Sequence, residues 1–458
     1  MTVTPILTFK EKAGYALGDA ASNFFFQFFG IFLMFYYTDI VGIPAAAVGT
    51  MMLITRMFDA VTDPLMGALS DRTRTRWGRF RPWLLWVAIP YAVTGVAMFL
   101  CPDIGDRGKL IYAYVTYSAM MLAYTAINVP YSALMGVMSD SSEDRTRLSS
   151  FRFVAAFGAG MLVSYFALPL KNLLGGGNDK VGFLWTMSIF AVLSIFCFLI
   201  TFVTTRERVE PVTEDNGSLK GDMSLLLRCV PWVLLFGVTL FNLTSYCVRS
   251  GAQMYYFKYV VGNEMAAKWF MTSGMIAAMI GIALAPRITR LIGKRTAMIG
   301  LSAVSTALNA SFFVLPPGNY PLLITVNILA SVIGGPAGAI IWSMYADTAD
   351  YIEWKHGRRI TGLVYSGVLF GIKMGVALGG GIVGWLLAFY SFEANAVPTA
   401  ESILGIKLAF AAVPAAFAFA SVFILLGYRL TDQKVAEIEE ELRGRRSHLQ
   451  GEGDEAHA

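Results

Sequence analysis

The feature that most restricts this chain is a succession of long apolar runs from one end to the other. They fall near residues 13–38, 45–70, 82–101, 110–138, 150–173 and 181–203, and resume near 229–250, 264–286, 295–315, 321–345, 361–388 and 402–428. Each is long enough to cross a bilayer as a helix, which takes about 20 residues. With no water in the bilayer core, the backbone must satisfy its own N–H and C=O groups, so runs of this length form helices. The chain is 56% hydrophobic and 15% charged over 458 residues, where a soluble domain carries about a quarter charged residues. The expected fold is an all-α polytopic membrane protein with about twelve transmembrane helices. The polar interval 204–222 divides these helices into two sets of six. The expected organisation is a six-helix bundle over 1–203, a cytoplasmic linker over 204–228, a second six-helix bundle over 229–428 and a cytoplasmic tail over 429–458. The tail is charged, and its first half, 432–443, can form a surface helix.

Arginine and lysine concentrate on alternate loops. One side holds Arg72, Arg74, Arg76, Arg79 and Arg81, then Arg145, Arg147, Arg206 and Arg208, and in the second half Arg287, Arg290, Lys294, Arg295, Lys355, Arg358 and Arg359. The positive-inside rule makes that side cytoplasmic, and an even number of helices puts both termini there. The expected location is a plasma membrane of the bacterial inner-membrane kind, crossed many times. The net charge of +5 reflects these loops and predicts no nucleic-acid partner. Cys101, Cys197, Cys229 and Cys247 have no metal-ligand spacing, and three histidines are too few to supply one. Residues 1–12 show no cleavage pattern, so the first run should be a retained span. Glycine triplets at 175–177 and 379–381 lack the strand and the Lys-Ser/Thr of a phosphate-binding loop. No nucleophile–base pair stands at helical spacing, so no enzyme is predicted.

The strongest functional signal is TRMFDAVTDP at 55–64, inside the second run. Arg56, Asp59 and Asp63 share one helix face at i, i+3 and i+7. Charges at mid-membrane cost a few kcal/mol each and mark ion paths. Two carboxylates one turn apart repel, and one arginine cannot neutralise both, so the cluster suits a small cation or a proton. Pro64 leaves the Ala60 carbonyl without its helical donor, a possible further ligand. The competing reading is a structural ion pair completed by another helix.

Other polar faces accompany it. Asp19, Ser22, Asn23 and Phe26 align in the first run, and Asp19 needs a cation, for which Arg152 is the candidate. Thr125, Asn128 and Ser132 line one face of the fourth run beside Tyr124 and Tyr131. In the second half, Trp342 lies late in the tenth run and offers a ring for a pyranose or for core packing. Arg249 ends the seventh run, where it can accommodate an anionic sugar or simply snorkel to the outer interface. Lys373 is central in the eleventh, flanked by Gly371, Gly375 and Gly379, a spacing that lets a helix pack tightly, here expected against the other bundle. A mid-membrane lysine should meet a carboxylate, expected to be Asp59 or Asp63. The basic turns at 71–82 and 286–295 hint at an internal repeat.

Several longer motifs carry a resemblance: YYTDIVG (36–42), RMFDAVTDPLMG (56–67), DRTRTRWGRFRPW (71–83), YTAINVPYSAL (124–134), YYFKYVVG (255–262) and ADTADYIEWKHGRR (346–359). In this order they resemble the glycoside–pentoside–hexuronide:cation symporters of the major facilitator superfamily. The resemblance implies the major facilitator fold and the inward movement of a sugar or glycoside with Na+ or H+, with no other cofactor, as a monomer in the lipid bilayer. It implies a cation site at Asp59, Asp63, Thr62 and Thr125. It implies substrate contacts at Asp19, Asn23, Tyr124, Asn128, Ser132, Arg152, Trp342 and Lys373. The pattern departs from the family's melibiose-carrying member, where aspartates stand at the positions of Asn23 and Asn128, a lysine at Ser22 and a tryptophan at Ser132, which argues against a galactoside pocket. Arg56, Asp71, Arg72, Arg79, Asp347, Asp350 and Arg358 resemble coupling and inner-gate charges. A carrier of lysolipid-like amphiphiles and a non-transporting sugar sensor are the alternatives.

Overall fold

The computed structural model of the chain describes residues 7–100, 102–139, 142–208, 219–357, 360–438 and 440–442. Twelve long helices follow one another among these residues: α1 (Phe9–Leu33), α2 (Ala45–Arg72), α3 (Arg81–Ala97), α4 (Gly105–Met138), α5 (Ser142–Gly175) and α6 (Asp179–Thr204). The second set is α7 (Val230–Val260), α8 (Glu264–Ile292), α9 (Lys294–Ser311), α10 (Tyr320–His356), α11 (Thr361–Phe389) and α12 (Ala400–Leu426). By length and composition, nine helices among the described residues can cross a membrane. The other three, α2, α3 and α9, coincide with expected runs; α2 carries the charged cluster, while α3 and α9 are only 17 and 18 residues long.

Local chemistry explains where the helices begin. Thr8 and Glu11 form a reciprocal capping box at the start of α1, and side chains of Asn178, Asn263, Asn319 and Thr399 accept from the first free amides of α6, α8, α10 and α12. The Glu207 carboxylate accepts from the amides of Arg79, Phe80 and Arg81 at 2.8, 2.8 and 3.0 Å, an anion on the N-terminus of α3.

Helix α1 packs on α5 and α6, α3 on α4 and α6, and α2 on α4. In the second set α7 packs on α11 and α12, α10 on α8 and α9, and α9 on α12. Between the sets run three seams, α2 with α11, α5 with α8, and α1 with α7. One apolar core fills the first set and continues into one end of α7, α8 and α12; a separate core, including Leu235, Met344, Val364 and Leu425, fills the opposite end of the second set. Large apolar side chains such as Ile89, Val115, Phe196, Trp269 and Phe423 face outward, exposed in the way a lipid contact requires.

The start of α1 and the end of α12 lie at the same end, here termed the terminal face; the α1–α2 and α7–α8 turns form the far face. Arg208 pairs with Glu11 across the terminal face, and the tail docks there, with Asp432 accepting from the Lys294 amide at 2.8 Å and Glu441 from Trp354 Nε1 at 2.7 Å. The interval expected as a linker contains a short helix, Leu219–Arg228, with Leu226 buried.

The α2–α11 seam depends on glycine. A Cβ on Gly49 would sit 2.9 Å from the Gly381 carbonyl oxygen and 3.0 Å from Gly384 Cα, so backbones touch there. The stripe Gly371–Gly375–Gly379 was expected to make such a contact with the other bundle, but it faces α7 of its own set, meeting Phe236, Leu240 and Val248. The face carrying Gly380, Gly381 and Gly384 makes the cross-bundle seam instead, because the helix rotates by about 100° per residue. Gly49→Val is expected to destabilise the protein by about 1–3 kcal/mol by overpacking, read as a lowered thermal midpoint in detergent.

Candidate substrate and cation site

Asp63 lies in the half of α2 nearer the terminal face, about a quarter exposed. Its Oδ1 accepts from Thr125 Oγ1 of α4 at 3.0 Å, and its Oδ2 pairs with the Lys373 ammonium of α11. Three helices thus converge on one carboxylate. Of the two acids expected to meet Lys373, the structure gives it Asp63, across from the other set of six. Thr62 Oγ1 is buried with no hydrogen-bond partner among the described residues. Arg56 lines a small cavity with Gln27, Tyr117, Tyr246 and Cys247. The Asp59 side chain lies outside the described residues.

A second polar group lies on α1, α4 and α5. Arg152 Nη2 is 3.3 Å from Asp19 Oδ1, the ion pair expected from the need to neutralise both charges. The guanidinium also lies over the Tyr131 ring, 5.0 Å from its centroid. Tyr15 and Tyr131 stack at 4.7 Å and each donates its hydroxyl to the other's carbonyl, at 3.2 and 2.8 Å, which fixes the platform under Arg152. Ser22 Oγ donates to Asn128 Oδ1 at 2.7 Å, while Asn128 Nδ2 donates to the Tyr124 carbonyl and Asn23 Nδ2 to the Asp19 carbonyl. Asp19, Asn23, Tyr124, Asn128 and Arg152 are therefore neighbours. Ser132, one turn beyond Asn128, is exposed. Trp342 sits on the second set, stacked on Tyr365 at 5.9 Å, and lines a cavity of about 380 Å³.

Of the charges expected to gate the terminal face, one has an ion pair within its own set. Asp347 pairs with Lys294 at 2.7 Å, both on the second set. Arg79 offers its backbone amide to Glu207, Arg72 is exposed and Asp350 half-buried. The Asp71 side chain and Arg358 lie outside the described residues.

At the far face the two sets are clamped together by residues that the sequence reading had used only as landmarks. Asp39, at the end of the first set's leading helix, is fully buried. It accepts from Lys258 Nζ at 2.9 Å, Thr38 Oγ1 at 2.9 Å and the Tyr259 hydroxyl. Lys258 also donates to Asn395 Oδ1 at 2.7 Å, and Thr38 meets the Tyr255 hydroxyl at 2.6 Å. Both ends are built alike: Tyr36–Ile40 and Tyr256–Val260 are π-helical turns, followed by Gly42 at φ 86° and Gly262 at φ 74°. Matching hydrogen bonds run from Val41 N to Tyr36 O and from Val261 N to Tyr256 O, at 3.0 and 2.9 Å. The paired tyrosines and closing glycine of YYTDIVG and YYFKYVVG were the signal, a repeat more distinct than the basic turns.

Arg249 does not snorkel. Its Nη1 donates to the Phe410 carbonyl at 3.1 Å, and its guanidinium lies 4.3 and 4.7 Å from the Phe410 and Phe312 ring centroids. Packing of α7 against α8 and α12 turns this side chain inward.

Two six-helix sets with charged groups buried where they meet define a membrane transport protein rather than an enzyme. Residues 14–432 match the family described as MFS/sugar transport protein, and the chain belongs to the glycoside–pentoside–hexuronide:cation symporters of the major facilitator superfamily. It is 37% identical over 439 residues to the inner membrane symporter YicJ of Escherichia coli (strain K12), covering 95% of each chain. It is 33% identical over 433 residues to the isoprimeverose transporter of Lactiplantibacillus pentosus, covering 93% of this chain and 89% of that one. Its fold matches the crystal structure of a D-xylose-proton symporter with a TM-score of 0.62 at 13% identity, covering 91% of this chain and 97% of the other.

Asp63→Asn and Lys373→Met should each lower stability by more than their combination does. The double-mutant coupling should be on the order of 1–3 kcal/mol, measured by thermal unfolding of the purified variants.

Proposed function

We propose that the protein carries a sugar or glycoside inward together with Na+ or H+, by alternating exposure of a site between two rocking bundles. The observation that carries this reading is Asp63, shared by a hydroxyl on α4 and an ammonium on α11. A carboxylate with Thr62 and Thr125 oxygens nearby is a hard-oxygen donor set that suits Na+, and the same carboxylate can take a proton. Either event weakens its hold on Lys373. Asp59, on the same helix face, is the second acid of this site.

The released lysine supplies the coupling. With Asp63 occupied, Lys373 can turn to a sugar hydroxyl, so the cation and the sugar favour the same state and each raises the other's affinity. The sugar is held by Asp19, Asn23, Tyr124, Asn128 and Arg152, whose carboxylate, amide and guanidinium groups match vicinal hydroxyls. Trp342 closes on the ring from the second bundle. The relatives' descriptions as an inner membrane symporter and a transporter of isoprimeverose support a saccharide substrate.

In this reading the terminal face is cytoplasmic, following the positive-inside rule. The Asp39 clamp then closes the outer side, and its release would accompany opening there. The two bundles, 1–203 and 229–428, move about the seams α2–α11 and α5–α8, and the chain works as a monomer in the plasma membrane.

Asp59→Cys and Asp63→Cys are expected to abolish uphill, cation-driven uptake of glycoside into proteoliposomes while the variants remain folded by thermal unfolding. Full accumulation in both would overturn the site. A sodium gradient and a pH gradient, imposed separately, identify the coupling ion by which one drives accumulation.

A further inference from the structure

Helices α2 and α3 are joined at the terminal face by a turn that the rest of the first set holds in one shape. Thr75 N donates to Gly78 O and Gly78 N to Thr75 O, at 3.3 and 3.1 Å, and Trp77 N donates to Thr75 Oγ1 at 3.1 Å. Gly78, at φ 109°, lies against the Glu207 carboxylate, which accepts from the three amides that follow it. Arg81 Nη2 donates to the Phe202 carbonyl at the end of α6 at 2.7 Å, and Trp77 meets the Phe202 ring edge to face. Trp83 Nε1, on α3, donates to Thr73 Oγ1 at 3.2 Å.

Segment 71–82 holds five arginines and one aspartate. Arg81 is engaged with Phe202, while Arg72, Arg74 and Arg76 are exposed. Among the described residues no carboxylate pairs with these three, and Arg76 lies over the Trp77 ring, 4.6 Å from its centroid. Glu207, the acid that the turn does contact, has both oxygens taken by backbone amides. On the membrane side of the turn, Leu65 and Leu69 of α2 and Trp86 and Ile89 of α3 are exposed, and Trp83 and Trp86 meet edge to face. Tryptophan settles at the level of lipid headgroups, with aliphatic side chains beyond it among the acyl chains. A guanidinium fork matches two phosphate oxygens, and basic groups beside a span attract anionic lipid. The second set's equivalent turn differs: Arg287 and Arg290 are exposed on α8 itself, and 286–295 contains no tryptophan.

We propose that the α2–α3 turn binds an anionic phospholipid from the leaflet at the terminal face. Arg72, Arg74 and Arg76 take the phosphodiester and headgroup, and the acyl chains follow the exposed apolar side chains of α2 and α3. A lipid held there ties the end of α2, the helix that bears Asp63, to the bilayer. The site stands apart from the sugar and cation site and holds whichever solute is carried.

In the test, full-length protein in detergent is titrated with phosphatidylglycerol and, in parallel, with phosphatidylcholine of the same chains. Lipids bound per protein are counted by native mass spectrometry. Phosphatidylglycerol should bind the wild type more tightly by about tenfold or more. Inorganic phosphate at the lipid's concentration should not displace it, because a free anion lacks the chain contacts. The triple variant Arg72→Gln, Arg74→Gln, Arg76→Gln should bind the two lipids equally. Arg74→Gln alone should lose about fivefold, the worth of one arginine near a membrane surface. The pair Arg287→Gln, Arg290→Gln should keep the wild-type preference. Thermal unfolding checks that each variant is folded, and should the triple variant fail to fold, Arg74→Gln carries the comparison. Equal binding of both lipids by the wild type, or displacement by phosphate, overturns the site. So does the same loss in the Arg287/Arg290 pair, which would mark general charge attraction instead.

Discussion

A carboxylate held inside an apolar slab by a hydroxyl from one helix and an ammonium from another is the interaction on which the organisation of this molecule turns. Asp63 lies on α2, Thr125 on α4 and Lys373 on α11, so the pair spans the seam between the two sets of helices. In a medium of low dielectric, neither charge is stable alone. The helices that bear them are therefore obliged to stay near each other unless something replaces one partner. A travelling cation is such a replacement, and the same physics that makes the pair costly to break makes its exchange a way to couple two events.

The two ends of the molecule are built on different terms. At the far face, a buried carboxylate, a lysine and a tyrosine from opposite sets are drawn together by hydrogen bonds that leave Asp39 no exposure. The backbone positions of Asp39 and Tyr259 are equivalent in the two π-helical turns, so a repeat in the chain becomes a contact across the seam. At the terminal face, two of the described pairs lie inside one half each: Arg208 with Glu11, and Lys294 with Asp347. The docked tail adds contacts to the second set there, through Asp432 and Glu441.

Much of the helical layout was legible in sequence because a bilayer permits only one local answer for a long apolar run. The Asp19–Arg152 pair and the partnership of Lys373 with an acid of α2 were legible for a related reason: a charge in such a run demands an opposite one, and few are available. What escaped was the direction each helix face takes. Gly371, Gly375 and Gly379 have the spacing of a tight seam, yet periodicity alone does not say which neighbour the stripe meets, and it meets α7. Arg249 stands near the end of an apolar run, where snorkelling is the ordinary outcome, but α8 and α12 close around it. Lys258, in the last turn of α7, and Asn395, in the loop between α11 and α12, lie far apart in the chain, and nothing local indicates that both reach Asp39.

The sequence by itself determined that this chain lives in a membrane as a series of helices, that its basic loops gather on one of the two faces, and that the acids inside its spans require counter-charges. Those are consequences of composition and local spacing, which act on each segment separately. Only the tertiary structure decided that Asp63 is the acid Lys373 meets, which glycines form the seam, and which buried donors are left without an acceptor among the described residues. These depend on how whole helices rotate and cross as they pack, and that is set by contacts between segments hundreds of residues apart rather than by any one of them.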